Sequence, residues 1–311
     1  MAEFSAPAKI ILVGEHAVVY GQPAIAIPLR NLRAVVTLNE APAGQRGLHV
    51  LAEDLHEIKQ IMTGVQSDDP LVVTVNTLLA GLGISPPDAE ITLRSQIPIA
   101  SGLGSGAAIA AALGRALSAS AEISLTPEAL NGLVFEVEKF HHGTPSGIDN
   151  TVVVYEQPIY FVRNHPFETI DIGGTFHFLI ADTGRPASTK IAVGDVRKLY
   201  EANSDQIQPV LAAIGDVARK SREAIQQGDV EALGARLNEN HALLQQLTVS
   251  SPELDQLVDM ARGAGALGAK LSGGGRGGNM IALVTPESGE VVEQALRRSG
   301  ATRVLQTTLA P

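Results

Sequence analysis

Apolar positions in the first part of the chain fall into short continuous or alternating runs. KIILV (9–13) is unbroken, AVVY (17–20) and AIAIPL (24–29) flank Gly21–Gln22–Pro23, and alternation continues through RAVVTLNE (33–40) and LHVLAE (48–53). Runs of this length between turn formers predict strands, so the first 40 residues read as β. AEITLRS (89–95) predicts a further strand. Helical signals follow: a segment opening on Asp69–Pro70 and stopping at glycine, an Ala- and Leu-rich stretch over 105–119, and a segment over 126–142. The last opens on Thr126–Pro127–Glu128, a good N-cap and first turn, and keeps Leu130, Leu133, Val134 and Val137 on one face. VVVY (152–155), IYFVR (159–163) and FHFLIADT (176–183) again predict strands. From about 188 the spacing is mostly helical, until AKLSG (269–273), MIALVT (280–285), a helix over 287–299 and RVLQTTL (303–309) close the chain. A β-rich first half and a helix-rich second half predict an α+β protein, divided into 1–167 and 168–311.

Composition narrows the function. With 311 residues and 45% hydrophobic content the chain can bury a sizeable core in one or two domains. Lys and Arg number 23 against 33 Asp and Glu, a net charge of −10, which argues against duplex nucleic acid or an anionic membrane as partner. The absence of cysteine excludes disulfides, thiolate metal sites and cysteine nucleophiles. With neither a secretory signal at the start nor an apolar run of membrane-spanning length, the expectation is a soluble, cytoplasmic protein.

Glycine is over-represented, 31 residues where the usual share is about 7%, and it clusters. IPIASGLGSGAA (97–108) sets three glycines between a strand and a strong helix. Glycine lets the backbone approach a ligand, and a helix N-terminus presents free N–H groups, so the segment reads as a phosphate cradle. It is not a Walker loop, because Gly-Lys occurs nowhere. Gly102, Gly104 and Ala107 do satisfy the dinucleotide fingerprint, but Glu122 sits between two helices, not at a strand end, and β and α do not alternate. KLSGGGRGGN (270–279) is a second such loop, with close packing or a ligand as its reason.

Four charged residues and one histidine stand in apolar or glycine-rich settings. Lys9 either snorkels from a strand end or serves a site, and Glu15 with His16 follows at a glycine break. Glu138 lies late in a helix, where the dipole disfavours an anion, and is either solvated or a metal ligand. Asp149 either caps a turn in GTPSGIDN or does chemistry. With the glycine loops they form the parts list of phosphoryl transfer.

APAKIILVGEHAVVYGQPAIAI (6–27), PIASGLGSGAA (98–108) and KLSGGGRGGN resemble, in order, the three motifs of the GHMP kinases, and GEHAVVYG with HHGTPSGIDN (141–150) sharpens the likeness. The resemblance implies a two-domain α+β fold with the site in the cleft between domains. It implies transfer of the γ-phosphoryl of ATP, with Mg²⁺, to the 5-hydroxyl of mevalonate, and homodimers as are frequent in the family. Asp149 would be the base and Lys9 its neighbour, with Glu138 and Ser105 on the metal. Glu15, His16 and Thr183 would line the substrate pocket. Pro98, Ser101, Gly102, Leu103, Gly104, Ser105, Gly106, Ala107 and Ala108 would hold the nucleotide phosphates, and Gly273 to Gly275 would support that loop. A sibling small-molecule kinase, a decarboxylase of the same pathway or an inactive ligand-binding member are the alternatives. Three positions depart from the family pattern: Gly106 replaces a second serine that often binds the metal, Ala8 stands where glycine is frequent, and Arg276 stands where a small uncharged residue is usual.

Overall fold

The computed structural model describes residues 2–41, 44, 46–55, 57–61, 67–98, 101–143, 145–186 and 188–311. Ile99, Ala100 and Thr144, which belong to the motif segments, lie outside the described residues. Strands β1 (Ala2–Val13) and β2 (Ala24–Glu40) are long, and each begins in one compact unit and ends in the other. The units therefore interleave in sequence: Met1–Lys9, Pro28–Ile99 and Gly104–Glu156 form the first, and Ile10–Ile27, Ala100–Leu103 and Gln157–Pro311 the second. This partition follows contacts along the two shared strands, whereas the expected division at 167/168 concerns contiguous stretches of sequence.

In the first unit, β3 (Leu48–Ala52), β4 (Glu57–Ile61) and β5 (Ala89–Ser95) join β2 in the order β4-β3-β5-β2. β3 runs parallel to β5, and the other pairings in this order are antiparallel. Four helices accompany them: α1 (Pro70–Leu82), α2 (Ser105–Ser120), α3 (Pro127–His142) and α4 (Ile148–Tyr155). The predicted caps form. Asp69 accepts from the Leu71 and Val72 N–H groups at the start of α1, and Thr126 accepts from Ala129 N–H at the start of α3. Helix α2 is alanine-rich along its buried length, which lets α1, α3 and α4 pack closely against it.

Two local expectations are corrected. VVVY is the end of helix α4, not a strand; Gly147 in the left-handed region caps that helix, and Val152, Val153 and Val154 are all buried. A short helix buried all round presents the same continuous apolar run as a buried strand. AVVY likewise forms a 3₁₀ turn (Ala17–Tyr20) closed by Gly21.

In the second unit, the first residues of β2 pair β6 (Ile159–Phe161), which pairs β7 (Glu168–Thr169). A separate antiparallel sheet has the order β11-β8-β10-β9, from β8 (Phe176–Asp182), β9 (Gly268–Ser272), β10 (Asn279–Val284) and β11 (Arg303–Leu309). Helices α5 (Thr189–Ala202), α6 (Ser204–Gln227), α7 (Val230–Gln246), α8 (Pro252–Gly263) and α9 (Gly289–Arg298) complete it. Leu211, Ile214, Leu244, Leu254, Leu271 and Met280 share its core. The fold is α+β, as the sequence predicts.

Candidate active site

In the first unit, Lys9 on β1 is buried and its ammonium lies 2.9 Å from the Asp149 carboxylate, which is 31% exposed. Asp149 is in the first turn of α4. That turn is held by Thr151 Oγ1 donating to Gly147 O at 2.7 Å and by Asn150 Nδ2 donating to Asn131 Oδ1 at 2.6 Å. The stem of Lys9 runs against Gly104, the N-cap of α2. A Cβ at Gly104 would stand 2.7 Å from Lys9 Cγ, and φ there is +75°, so both space and backbone require glycine.

Glu138, late in α3, is buried beside this pair. Burial first, and the Asp149 charge second, push its carboxyl up to about 8, against the opposing pull of Lys9. A Cβ built at Gly106 comes 3.3 Å from Glu138 Oε1, so the first turn of α2 meets this carboxylate where the family often has a serine. No group of three or more His, Cys, Asp or Glu side chains suited to a metal occurs among the described residues. One buried, electrostatically costly carboxylate beside a helix N-terminus fits an ion carried chiefly by nucleotide phosphates, which is how Mg²⁺ is commonly held. Ser105 opens α2 and is half-buried, Ala107 and Ala108 are buried in its first turns, and Pro98 is half-buried after β5.

In the second unit, Glu15 and His16 are both buried. Glu15 forms an ion pair with Lys270 of β9 and accepts from Asn240 Nδ2 of α7 at 3.1 Å. Lys270 has no exposed surface, and desolvation pulls its pKa down while the Glu15 charge resists. His16 Nε2 lies 3.1 Å from Gly274 O, and burial lowers its pKa to about 4, so the ring is neutral. Thr183 turns inward: its N–H and its hydroxyl both donate to Gly278 O, at 2.9 and 3.0 Å. Ser101 is buried, and its carbonyl accepts from Asn279 Nδ2. Gly102 is exposed and left-handed, while Leu103 is buried.

The structure thus brings Lys9, Asp149, Glu138, Gly104 and Gly106 together in one unit, and Glu15 and His16 together in the other. Lys270, Asn240 and Asn279 were not singled out in the sequence. Lys270 could have been, because a lone lysine in the apolar run AKLSG is the same signal that marked Lys9.

A lysine–carboxylate pair under a glycine-capped helix N-terminus, with a buried acid alongside, is the arrangement of a phosphotransferase site. Residues 70–157 match the GHMP kinases N terminal domain, and residues 221–302 match the GHMP kinases C terminal family. The chain belongs to the GHMP kinases. It is 36% identical to the mevalonate kinase of Thermococcus sibiricus over 316 residues, covering 95% of this chain and 92% of that one. Among solved structures it resembles L. major mevalonate kinase in complex with R-mevalonate, with a TM-score of 0.86 and 30% identity over 100% of this chain and 96% of that one. Methanococcus jannaschii mevalonate kinase gives a TM-score of 0.86 at 27% identity, covering 100% and 98%. Within the GHMP kinases this chain falls in the mevalonate kinase family, and as a kinase it uses ATP as co-substrate. Among the described residues no helix is long and apolar enough to cross a membrane.

Proposed function

We propose that the chain transfers the γ-phosphoryl group of ATP to the 5-hydroxyl of mevalonate, giving 5-phosphomevalonate and ADP. The observation that carries this reading is the 2.9 Å Lys9–Asp149 pair beneath the α2 N-terminus. Asp149, the more exposed partner, accepts the hydroxyl proton as the oxygen attacks. Lys9 holds that carboxylate in place and offers positive charge to the transferring group. Glu138 and Ser105 would hold Mg²⁺, which when bound would supply charge neutralisation on the phosphates. Residues 101–108 supply backbone N–H groups to the nucleotide, and Pro98, which has no N–H, contributes only its ring. Glu15, His16 and Thr183 serve the mevalonate side, with Glu15 and Thr183 acting through the hydrogen bonds they already make. The reading carries with it the division into 1–167 and 168–311, a cytoplasmic setting and a homodimer, the last testable by sedimentation.

The test is ADP release with Mg·ATP and mevalonate, phosphomevalonate, galactose or homoserine, beside Asp149→Asn. Turnover on mevalonate alone, lost in the variant, supports the reading. Turnover on another alcohol overturns the substrate and keeps Asp149. Silence on all four, with ATP still bound, points to a ligand-binding member instead.

A further inference from the structure

Arg276 is the one charged residue in the 273–278 stretch between β9 and β10, at a position where a small uncharged residue is usual in the family. It occupies φ +60°, a region that costs a non-glycine residue on the order of 1–2 kcal/mol. Its own loop offers glycines on either side, so the strain has a counterpart elsewhere. The guanidinium pairs with Asp195 of α5, which is held below the usual carboxylate range by Arg276 first and by Lys198 second. The Arg276 N–H donates to Val249 O at 2.8 Å. The loop is seated tightly: a Cβ at Gly275 would stand 2.0 Å from Val249 O, and one at Gly274 would stand 3.0 Å from Thr189 Cα at the start of α5.

What this seat fixes is the carbonyl of Gly274. A carbonyl only accepts, so His16 Nε2 must carry the proton and donate to it. The neutral ring then has its bare lone pair at Nδ1. That atom is buried and has no hydrogen-bond partner among the described residues. A buried acceptor without a donor costs free energy in the empty protein and gains it when a ligand supplies one.

We propose that Arg276 is a positioning residue for substrate: its ion pair with Asp195 locks the 273–278 loop so that Gly274 O holds His16 in the Nε2–H tautomer, leaving Nδ1 to accept from a hydroxyl of the alcohol substrate. The proposal rests on the kinase reading above, since it takes the ligand to be an alcohol. Lowering of the His16 pKa by burial, with smaller contributions from Arg276 and Lys270, agrees with it by keeping the ring neutral.

Arg276→Gly separates the guanidinium from the backbone, because glycine adopts φ +60° without strain and the variant should fold. The expected result is a KM for mevalonate raised about five- to tenfold, the factor that one neutral hydrogen bond commands, with kcat and the KM for ATP within about twofold. Asp195→Asn should reproduce the effect, the double variant should be no worse than either single, and Arg276→Lys should recover most of the affinity. ¹⁵N NMR of the His16 ring should show the Nε2–H tautomer in the parent protein and a mixed ring in Arg276→Gly. An unchanged KM for mevalonate in Arg276→Gly, or an Nδ1–H ring in the parent protein, overturns the proposal. If the parent protein turns over no mevalonate, the kinase reading fails instead, and the tautomer in Arg276→Gly still decides whether the clamp exists.

Discussion

Replacing Lys270 with methionine removes a cation from a place with no exposed surface and leaves the Glu15 carboxylate, 1% exposed, without its ion-pair partner. Asn240 Nδ2 still donates to Glu15, but one neutral donor does not offset a buried charge. Breaking a buried pair by removing one partner costs about 3–5 kcal/mol. At about 2.1 cal/mol/K per residue, 311 residues give an unfolding entropy near 0.65 kcal/mol/K, so the variant should melt roughly 5–8 °C lower. Glu15→Gln/Lys270→Met removes both charges and keeps an acceptor for Asn240. It should melt closer to the parent than Lys270→Met does, because a neutral pair of similar size carries no uncompensated charge. Scanning calorimetry at pH 7 reads both. A shift below about 2 °C for Lys270→Met, or a double variant worse than it, would show that the pair is solvated in solution and refute the reasoning.

Asp149→Asn should lower kcat by about 10²–10⁴ while ATP binding, read by calorimetry because the chain has no tryptophan, stays within a few fold. Gly104→Ala meets Lys9 Cγ at 2.7 Å on a backbone with φ +75°, so it should cost about 1–3 kcal/mol in urea unfolding and about tenfold or more in kcat as Lys9 is pushed from Asp149. His16 titrates at about 4 in the folded protein and near 6.5 when unfolded, so between these values the unfolded chain binds the extra proton and stability falls as pH falls. From pH 7.5 to 5 its share is about 2 kcal/mol, with Gly274 O, Arg276 and Lys270 as its polar and charged surroundings. His241, also lowered to about 4, adds in the same direction. His16→Asn should flatten the urea midpoint against pH, and an unaltered slope would remove His16 as a cause.

Caps and periodic helices were legible in the sequence because they are local. Asp69–Pro70 and Thr126–Pro127 state where a helix begins without reference to anything distant, and both caps form. VVVY looks like a strand because burial of Val152, Val153 and Val154 erases the 3.6-residue period that would separate helix from strand. Strand β4, EIKQI, gave no signal at all: it lies at one edge of its sheet, with only Ile61 fully buried. The compact units could not be read either, since long strands that cross from one unit to the other carry no mark of the crossing.

The site was legible where chemistry demands an unusual residue and illegible where a tertiary contact does. Lys9, Asp149 and Glu138 stand out as charges in apolar or glycine-rich surroundings, and they meet in space. The sequence marks glycine as a phosphate cradle in one loop and as close packing or a ligand in the other, and outside both loops glycine also serves backbone contact. Gly234 of α7 and Gly268 of β9 approach so closely that a Cβ on Gly268 would stand 2.0 Å from Gly234 O. With the helix that near, its side chains satisfy the outer backbone of edge strand β9. Asn238 Oδ1 accepts from Ala269 N–H at 3.0 Å, and His241 Nδ1 accepts from Leu271 N–H at 3.2 Å. The same approach carries Asn240 to Glu15. A glycine on a helix and another on a strand, 34 positions apart, therefore set the surroundings of the carboxylate at position 15. Restoring ordinary spacing with Gly234→Val should loosen that carboxylate without touching it, giving slower-exchanging protection at the Ala269 and Leu271 amides in the parent than in the variant by native-state hydrogen exchange.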